Sequence, residues 1–169
     1  MAIVAAPARI LGLDPGSVVT GFGVVDVSAT GTRYVASGSI RAGKGELSSR
    51  LRIIFTHVGE LIDAYAPAEV AIERVFMHVN PDSALKLGQA RGAALCGATA
   101  QGASVHEYTP REVKLAITGT GAAEKDQVKH MVKALLSIDG RIGADAADAL
   151  AIALCHAHHR ALGRAGGAR

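Results

Sequence analysis

Four carboxylates stand where the chain could turn them toward one another. Asp14 closes the apolar run Ile10-Leu11-Gly12-Leu13, and Glu73 closes Val70-Ala71-Ile72. Asp145 and Asp148 sit in the small-residue stretch Ala144-Asp145-Ala146-Ala147-Asp148-Ala149. A charge at the end of a buried strand needs a partner. Two acids spaced i, i+3 on a helix share a face, about one turn apart. Carboxylates without a cysteine cluster select hard, oxygen-preferring ions such as Mg2+ or Mn2+ rather than zinc. Two such ions about 3.5 to 4 Å apart activate water and stabilise the leaving oxygen of a phosphodiester. The set therefore points to phosphoryl-transfer hydrolysis. Each part also has a plainer reading: Asp14 as the turn aspartate of Asp-Pro-Gly, and Asp145 with Asp148 as acids complementing a helix macrodipole.

The elements that must position these acids follow from periodicity. Residues 9–13 form a strand ending in the Asp14-Pro15-Gly16 turn, and 21–27 and 33–40 continue as Val- and Ile-rich strands, a three-strand meander. Leu47, Leu51, Ile54, Val58, Leu61, Ile62 and Tyr65 recur at steps of three and four, which predicts an amphipathic helix stopping before Pro67. Residues 69–73 and 104–108 are two further strands. Asn80-Pro81 opens a small-residue helix over 82–101. Thr109 and Glu112 form a capping box for a short helix to 117. Val128, Met131, Val132, Leu135 and Leu136 mark another helix, and 144–162 the last. The expected class is α/β, a five-stranded mixed sheet flanked by helices. If the strands ending in Asp14 and Glu73 are parallel neighbours, both acids emerge on one edge, where open α/β sheets place their sites.

With 169 residues, 49% of them hydrophobic, the chain can bury one sizeable core. A single domain over 1–169 is expected, with its core at 9–162 and a flexible tail at 163–169. Lys and Arg exceed Asp and Glu by 18 to 15, a net charge of +3 that favours anionic partners but excludes a supercharged coating protein. Cys96 and Cys155 stand far apart, so neither a disulfide framework nor a CxxC site is supported, and a cytoplasmic location is expected. No apolar run approaches the ~20 residues that cross a bilayer, and the first residues lack a secretory pattern. Aromatics at 4%, with no Trp, argue against a broad base-stacking surface.

Several motifs together resemble the RuvC family of bacterial Holliday junction resolvases, within the ribonuclease-H-like superfamily. They are Ile10-Leu11-Gly12-Leu13-Asp14-Pro15-Gly16-Ser17, Thr20-Gly21-Phe22-Gly23-Val24-Val25, Ala71-Ile72-Glu73-Arg74-Val75-Phe76, Asp82-Ser83-Ala84-Leu85-Lys86-Leu87-Gly88-Gln89-Ala90-Arg91-Gly92 and Ala144-Asp145-Ala146-Ala147-Asp148-Ala149-Leu150-Ala151, in the family's order and spacing. The resemblance spans about 9–159. It implies a ribonuclease-H-like fold and a homodimeric, Mg2+- or Mn2+-dependent endonuclease, with two ions per site. Such an enzyme nicks a four-way DNA junction symmetrically and leaves 5′-phosphate and 3′-hydroxyl ends. Asp14, Glu73, Asp145 and Asp148 match the family's catalytic acids, and the branch-migration proteins RuvA and RuvB are the implied partners.

The resemblance also gives roles to residues that are ambiguous alone. Lys125, Lys129 and Lys133 form a basic stripe that reads either as a solvated face or, with Lys114, as a track for DNA phosphates. The family pattern places Lys114 and Lys125 near the scissile phosphate. Phe76 reads as a ring tucked under a loop or, by resemblance, as one that stacks on an unpaired base. His156, His158 and His159 are expected to be solvated near a helix C-terminus. Gly88, Gly92 and Gly97 are expected to let another backbone approach, at a dimer seam. Two rivals remain: an actin- or sugar-kinase-like nucleotide-binding domain, which needs a second domain this length does not provide, and a catalytically inert junction-binding module. Against the latter, acids facing DNA repel phosphate unless a cation intervenes.

Overall fold

The computed structural model describes residues 7–75 and 80–166, with side chains through residue 163. Phe76 lies outside the described residues. Strand β1 (Ala8–Asp14) pairs antiparallel with β2 (Val19–Ser28), which pairs antiparallel with β3 (Gly31–Arg41). On its other side β1 pairs parallel with β4 (Glu69–Glu73), and β4 parallel with β5 (Ser104–Tyr108). The sheet order is β3-β2-β1-β4-β5. Parallel neighbours need crossovers, supplied by α1 (Leu47–Tyr65) between β1 and β4 and by α2 (Pro81–Thr99) between β4 and β5. Then come α3 (Pro110–Thr118), α4 (Lys125–Leu135) and α5 (Ala144–Gly166). This is the expected mixed five-stranded sheet of ribonuclease-H-like type.

Alternation along each strand sorts residues between two helical layers. Leu11, Leu13, Val24, Val70 and Ile72 pack with Ile54 and Val58 of α1 and with Ala90, Ala94 and Ala98 of α2. Ile10, Val25, Ala71 and Tyr108 face the other way, toward Val113, Val128, Val132, Leu150 and Ile152 of α3, α4 and α5. Asp14 and Glu73 belong, by the same period of two, to the α5 face. No described helix is long and apolar enough to cross a membrane.

The element ends follow local chemistry. Asn80 Oδ1 accepts from the backbone N–H groups of Asp82 (3.0 Å) and Ser83 (3.3 Å), as Asn-Pro implied. Thr109 and Glu112 exchange the two capping-box bonds, at 3.2 and 2.7 Å. α1 ends at Ala66, which adopts a left-handed conformation (φ 44°) directly before Pro67. The last helix continues to Gly166, beyond the expected end at 162. The Ala-rich stretch 144–161 favours helix and Arg160 ties it to the sheet by donating to Glu69 at 3.0 Å, while the added turn, Gly163-Arg164-Ala165-Gly166, carries two glycines and continues against propensity.

Gly21 and Gly12 explain how α5 reaches the sheet. A Cβ on Gly21 would lie 2.1 Å from the Asp145 carbonyl oxygen, and one on Gly12 2.1 Å from that of Ala149. Only glycine allows such contact, and the buried small face of Ala146, Ala147, Ala149 and Ala153 settles against it. The start of α5 is thereby pressed onto the strand ends that carry the other acids.

The expected glycine seam on α2 needs correction at Gly97. Gly97 does meet a close backbone, the Phe55 carbonyl 2.7 Å from its would-be Cβ, but that backbone is α1 of the same chain. Gly88 and Gly92 face open space. Gly97 relieves crowding between two helices of one chain, while Gly88 and Gly92 lie on a different side of α2 that is left open.

Candidate active site

Parallel pairing of β1 with β4 places Asp14 and Glu73 at the same edge, as Leu13 lies opposite Ile72. A cavity of about 250 Å³ opens there, lined by Asp14, Glu73 and Asp148 together with Lys114 and Lys125. α3 contributes Lys114, α4 contributes Lys125 from its first turn, and α5 contributes Asp148. The structure therefore brings together five of the predicted residues. Asp145, half-buried one turn before Asp148, stands outside the lining, and Lys129 lies a turn beyond Lys125, also outside it.

Electrostatically the cavity holds more negative charge than it neutralises. Burial is the largest effect on Asp14, followed by the charges of Glu73 and Asp148, and its carboxyl is pushed up to about 7. Lys125 opposes this, and Asp145 is the weakest of the four charges acting. Glu73 is raised as well, by burial first and then by Asp148, with Lys125 and Lys114 opposing. The Lys125 ammonium lies 3.3 Å from Asp148 Oδ2, and its own pKa is raised, chiefly by that charge. Since the Lys125 side chain is 83% exposed, the pair is loose and contributes little stability. Its ammonium remains free to meet another anion.

Hard carboxylates crowded so that one holds its proton near neutrality are the donor set that suits a divalent cation with oxygen preference. The acids thus fit the Mg2+ or Mn2+ implied by the sequence. Among the described residues, however, the one group of three whose ligating atoms all lie within 4.8 Å of one another is elsewhere: Glu69, His106 and His156. It sits at the far end of β4. Its polar groups are already engaged, with His156 Nε2 2.6 Å from Glu69 Oε2, His156 Nδ1 2.7 Å from the Tyr108 hydroxyl, and Arg160 donating to Glu69 Oε1. The imidazoles of His106 and His156 stack with their centroids 4.2 Å apart. With a guanidinium already on its carboxylate, this group reads as an internal brace.

That brace corrects the expectation for His156, which is 4% exposed rather than solvated. The reason is that α5 lies along the sheet, so position 156 faces β5, while His158 and His159 stay exposed, His159 with its ring centroid 5.1 Å from that of Tyr108. Burial lowers the His156 pKa, against the opposing bond to Glu69. Other charged residues escaped sequence reasoning. Asp26 is buried and gripped by Arg9 (2.8 Å) and Arg33 (3.0 Å), and Arg91 donates from Nε to the Glu73 carbonyl at 3.0 Å. An aspartate amid Val25 and Val27 was the available signal for the first. Arg91 gave none, because side-chain bonds to a distant carbonyl leave no trace in spacing.

The model of the family described as crossover junction endodeoxyribonuclease RuvC matches residues 10–156. A protein of that name from Aromatoleum aromaticum is 57% identical over 150 residues, covering 89% of this chain and 81% of the relative. One from Stutzerimonas stutzeri is 58% identical over 151 residues, covering 89% and 87%. Among solved structures, Thermus thermophilus RuvC in complex with Holliday junction substrate superposes with a TM-score of 0.86 at 34% identity, covering 92% of this chain and 96% of that one.

Proposed function

The chain belongs to the RuvC family of crossover junction endodeoxyribonucleases, and from that premise we propose that it resolves four-way DNA junctions with Asp14, Glu73, Asp145 and Asp148 as its catalytic acids. It is a nuclease of homologous recombination and DNA repair. The observation that carries the site reading is the cavity at the β1/β4 edge, where Asp14 is half-buried among like charges and pushed up to about 7. Such perturbation marks functional acids. The family match over residues 10–156 sets aside the kinase-like rival.

Asp14, Glu73 and Asp148 would hold Mg2+ or Mn2+, two ions per site, with Asp145 completing the set from the start of α5. When bound, such ions supply Lewis-acid activation of water and stabilisation of the leaving oxygen. The chain's own residues do the rest. Lys114 and Lys125 receive the scissile phosphate and balance charge growing on its oxygens. Lys129 continues the basic track along α4, and Phe76 stacks on an unpaired base at the junction. The expected products carry 5′-phosphate and 3′-hydroxyl ends.

A homodimer would supply two sites related by a two-fold axis, matching symmetric nicks in a two-fold junction. The uncovered face of α2 supports this reading: Gly88 and Gly92 are open, and Leu85 is 67% exposed. RuvA and RuvB are the proposed partners and the cytoplasm the proposed location, with the whole chain acting as one domain. The test compares a labelled synthetic four-way junction with its matching linear duplex, in Mg2+, Mn2+ or chelator. Paired symmetric nicks in the junction alone, lost in chelator, are expected. Junction binding without cleavage in either metal would favour the inert module.

A further inference from the structure

Glu73 is the last residue of its strand, and its side chain must be aimed where the sheet is already ending. Pairing with β1 stops at Ile72. On the other side β5 still holds the chain, through Glu73 opposite Tyr108 and the Arg74 N–H bonded to the Tyr108 carbonyl at 2.8 Å. The Glu73 carbonyl is held by a third element: Arg91 of α2 donates to it from Nε at 3.0 Å. The same guanidinium places Nη2 2.8 Å from Glu107 Oε2 on β5, and its side chain is 18% exposed. Nη2 itself is buried and, among the described residues, makes no hydrogen bond of good angle, so the Glu107 contact is one of charge. One rigid planar fork thus joins α2, the end of β4 and β5.

We infer that Arg91 is a positioning residue for Glu73, fixing the peptide that carries this acid and hence its direction toward Asp14. The inference rests on the reading of Glu73 as a site acid. Arg91 touches neither the cavity nor any reacting atom; it acts through the main chain. α1 grips the other strand end in the same way, since Arg50 Nη1 donates to the Ser17 carbonyl at 2.9 Å, in the turn that follows Asp14. Two helices on the far face of the sheet therefore each send an arginine to the backbone beside an acid. Arginine suits the task because its fork is pre-organised, whereas lysine offers a flexible point charge.

Arg91→Lys keeps the charge facing Glu107 and loses the fixed Nε donor, while Arg91→Met keeps bulk alone. Four readings separate positioning from mere packing: Mn2+ affinity of the DNA-free protein, amide exchange at residues 73–75 in chelator, junction affinity in chelator, and cleavage rate. Groups that orient metal ligands cost 10–100-fold in metal affinity when removed, in order of magnitude. Arg91→Lys is expected to lose at least about 10-fold in Mn2+ affinity and in cleavage rate, and to exchange faster at 73–75. Its junction affinity should change less than about threefold, because phosphate contacts that dominate binding are untouched. Wild-type Mn2+ affinity and cleavage in Arg91→Lys would overturn the inference, even if Arg91→Met fails to fold. Glu73→Gln serves as the parallel control. If it binds Mn2+ and cleaves like the wild type, the site reading itself falls; if it loses both while Arg91→Lys keeps both, only the role of Arg91 falls.

Discussion

Glu69 and Glu73 occupy the two ends of one strand and, by the period of two, the same face of the sheet, yet their surroundings are opposite. They stand about 13 Å apart at ~3.3 Å per residue. Burial pushes the Glu69 carboxyl up, but bonds from His156 and Arg160 outweigh it and hold it below the usual carboxylate range. Glu73 meets burial and Asp148 with only the more distant help of Lys125 and Lys114, and is raised. The same side chain is held charged where cations satisfy it and pushed toward its neutral form where like charge outweighs them. Among the described residues, the acid at one end of the strand is tied into direct ion pairs while the one at the other end makes none, and that difference is the basis of the proposed site.

The sharpest way to break the contrast is to remove the same charge at each end. Glu73→Gln is expected to lower junction cleavage by about 10³-fold, the scale of removing one preorganised charge-stabilising group, with little change in melting temperature. Glu69→Gln is expected to cleave within about threefold of wild type. Its stability should fall by about 1.5–3 kcal/mol, the contribution of hydrogen bonds to a charged group. Cleavage by both variants at wild-type rate, read in single-turnover assays, would erase the distinction.

A second effect, somewhat smaller, follows from the sign of the Asp14 shift. The carboxyl titrates near 3.8 unfolded and at about 7 in the native protein. Between those values the native state binds the extra proton, so stability of the metal-free protein falls as pH rises from about 4 to 7 and then levels. Asp14→Asn is free of this loss. In chelator it should melt several degrees above wild type at pH 8, since about 1 kcal/mol moves a chain of this size by roughly 2–4 °C. The advantage should vanish near pH 4. Equal melting temperatures at pH 8 would contradict the charge crowding.

Lys125 tests the boundary between the two regimes, because it faces Asp148 yet stays exposed. Lys125→Gln should cut about 10-fold more slowly, and Lys129→Gln, outside the cavity lining, less than about threefold. The smallest expected effect is Tyr108→Phe, which removes the hydroxyl bonded to His156. It should cost about 1 kcal/mol of stability and leave cleavage unchanged.

Much of this was legible before the fold was seen. Strands ending in Asp14 and Glu73, the Thr109 capping box and the Asn80 cap each leave a local signal, because period, turn chemistry and caps act within a few residues. The close approach of α5 was legible as alanines around Asp145 and Asp148, although the glycines beneath it, Gly12 and Gly21, gain that meaning only once the register is known. What was not legible is long-range: His156 meeting Glu69, Arg91 meeting the Glu73 carbonyl, and Gly97 meeting α1 rather than a second chain. Such contacts join residues tens of positions apart, and nothing in their spacing marks them.

Asp14 is crowded by the charges of Glu73, Asp148 and Asp145 and pushed up to about 7. The direct measurement is Asp14→Asn on a labelled four-way junction, with binding followed in chelator and cleavage followed in Mg2+ and in Mn2+. The expected result is junction affinity within about threefold of wild type, since phosphate contacts dominate binding, and no detectable nicks in either metal. Metal-dependent cutting by Asp14→Asn at a rate near wild type would contradict the claim that the crowded acids at this strand edge carry the chemistry.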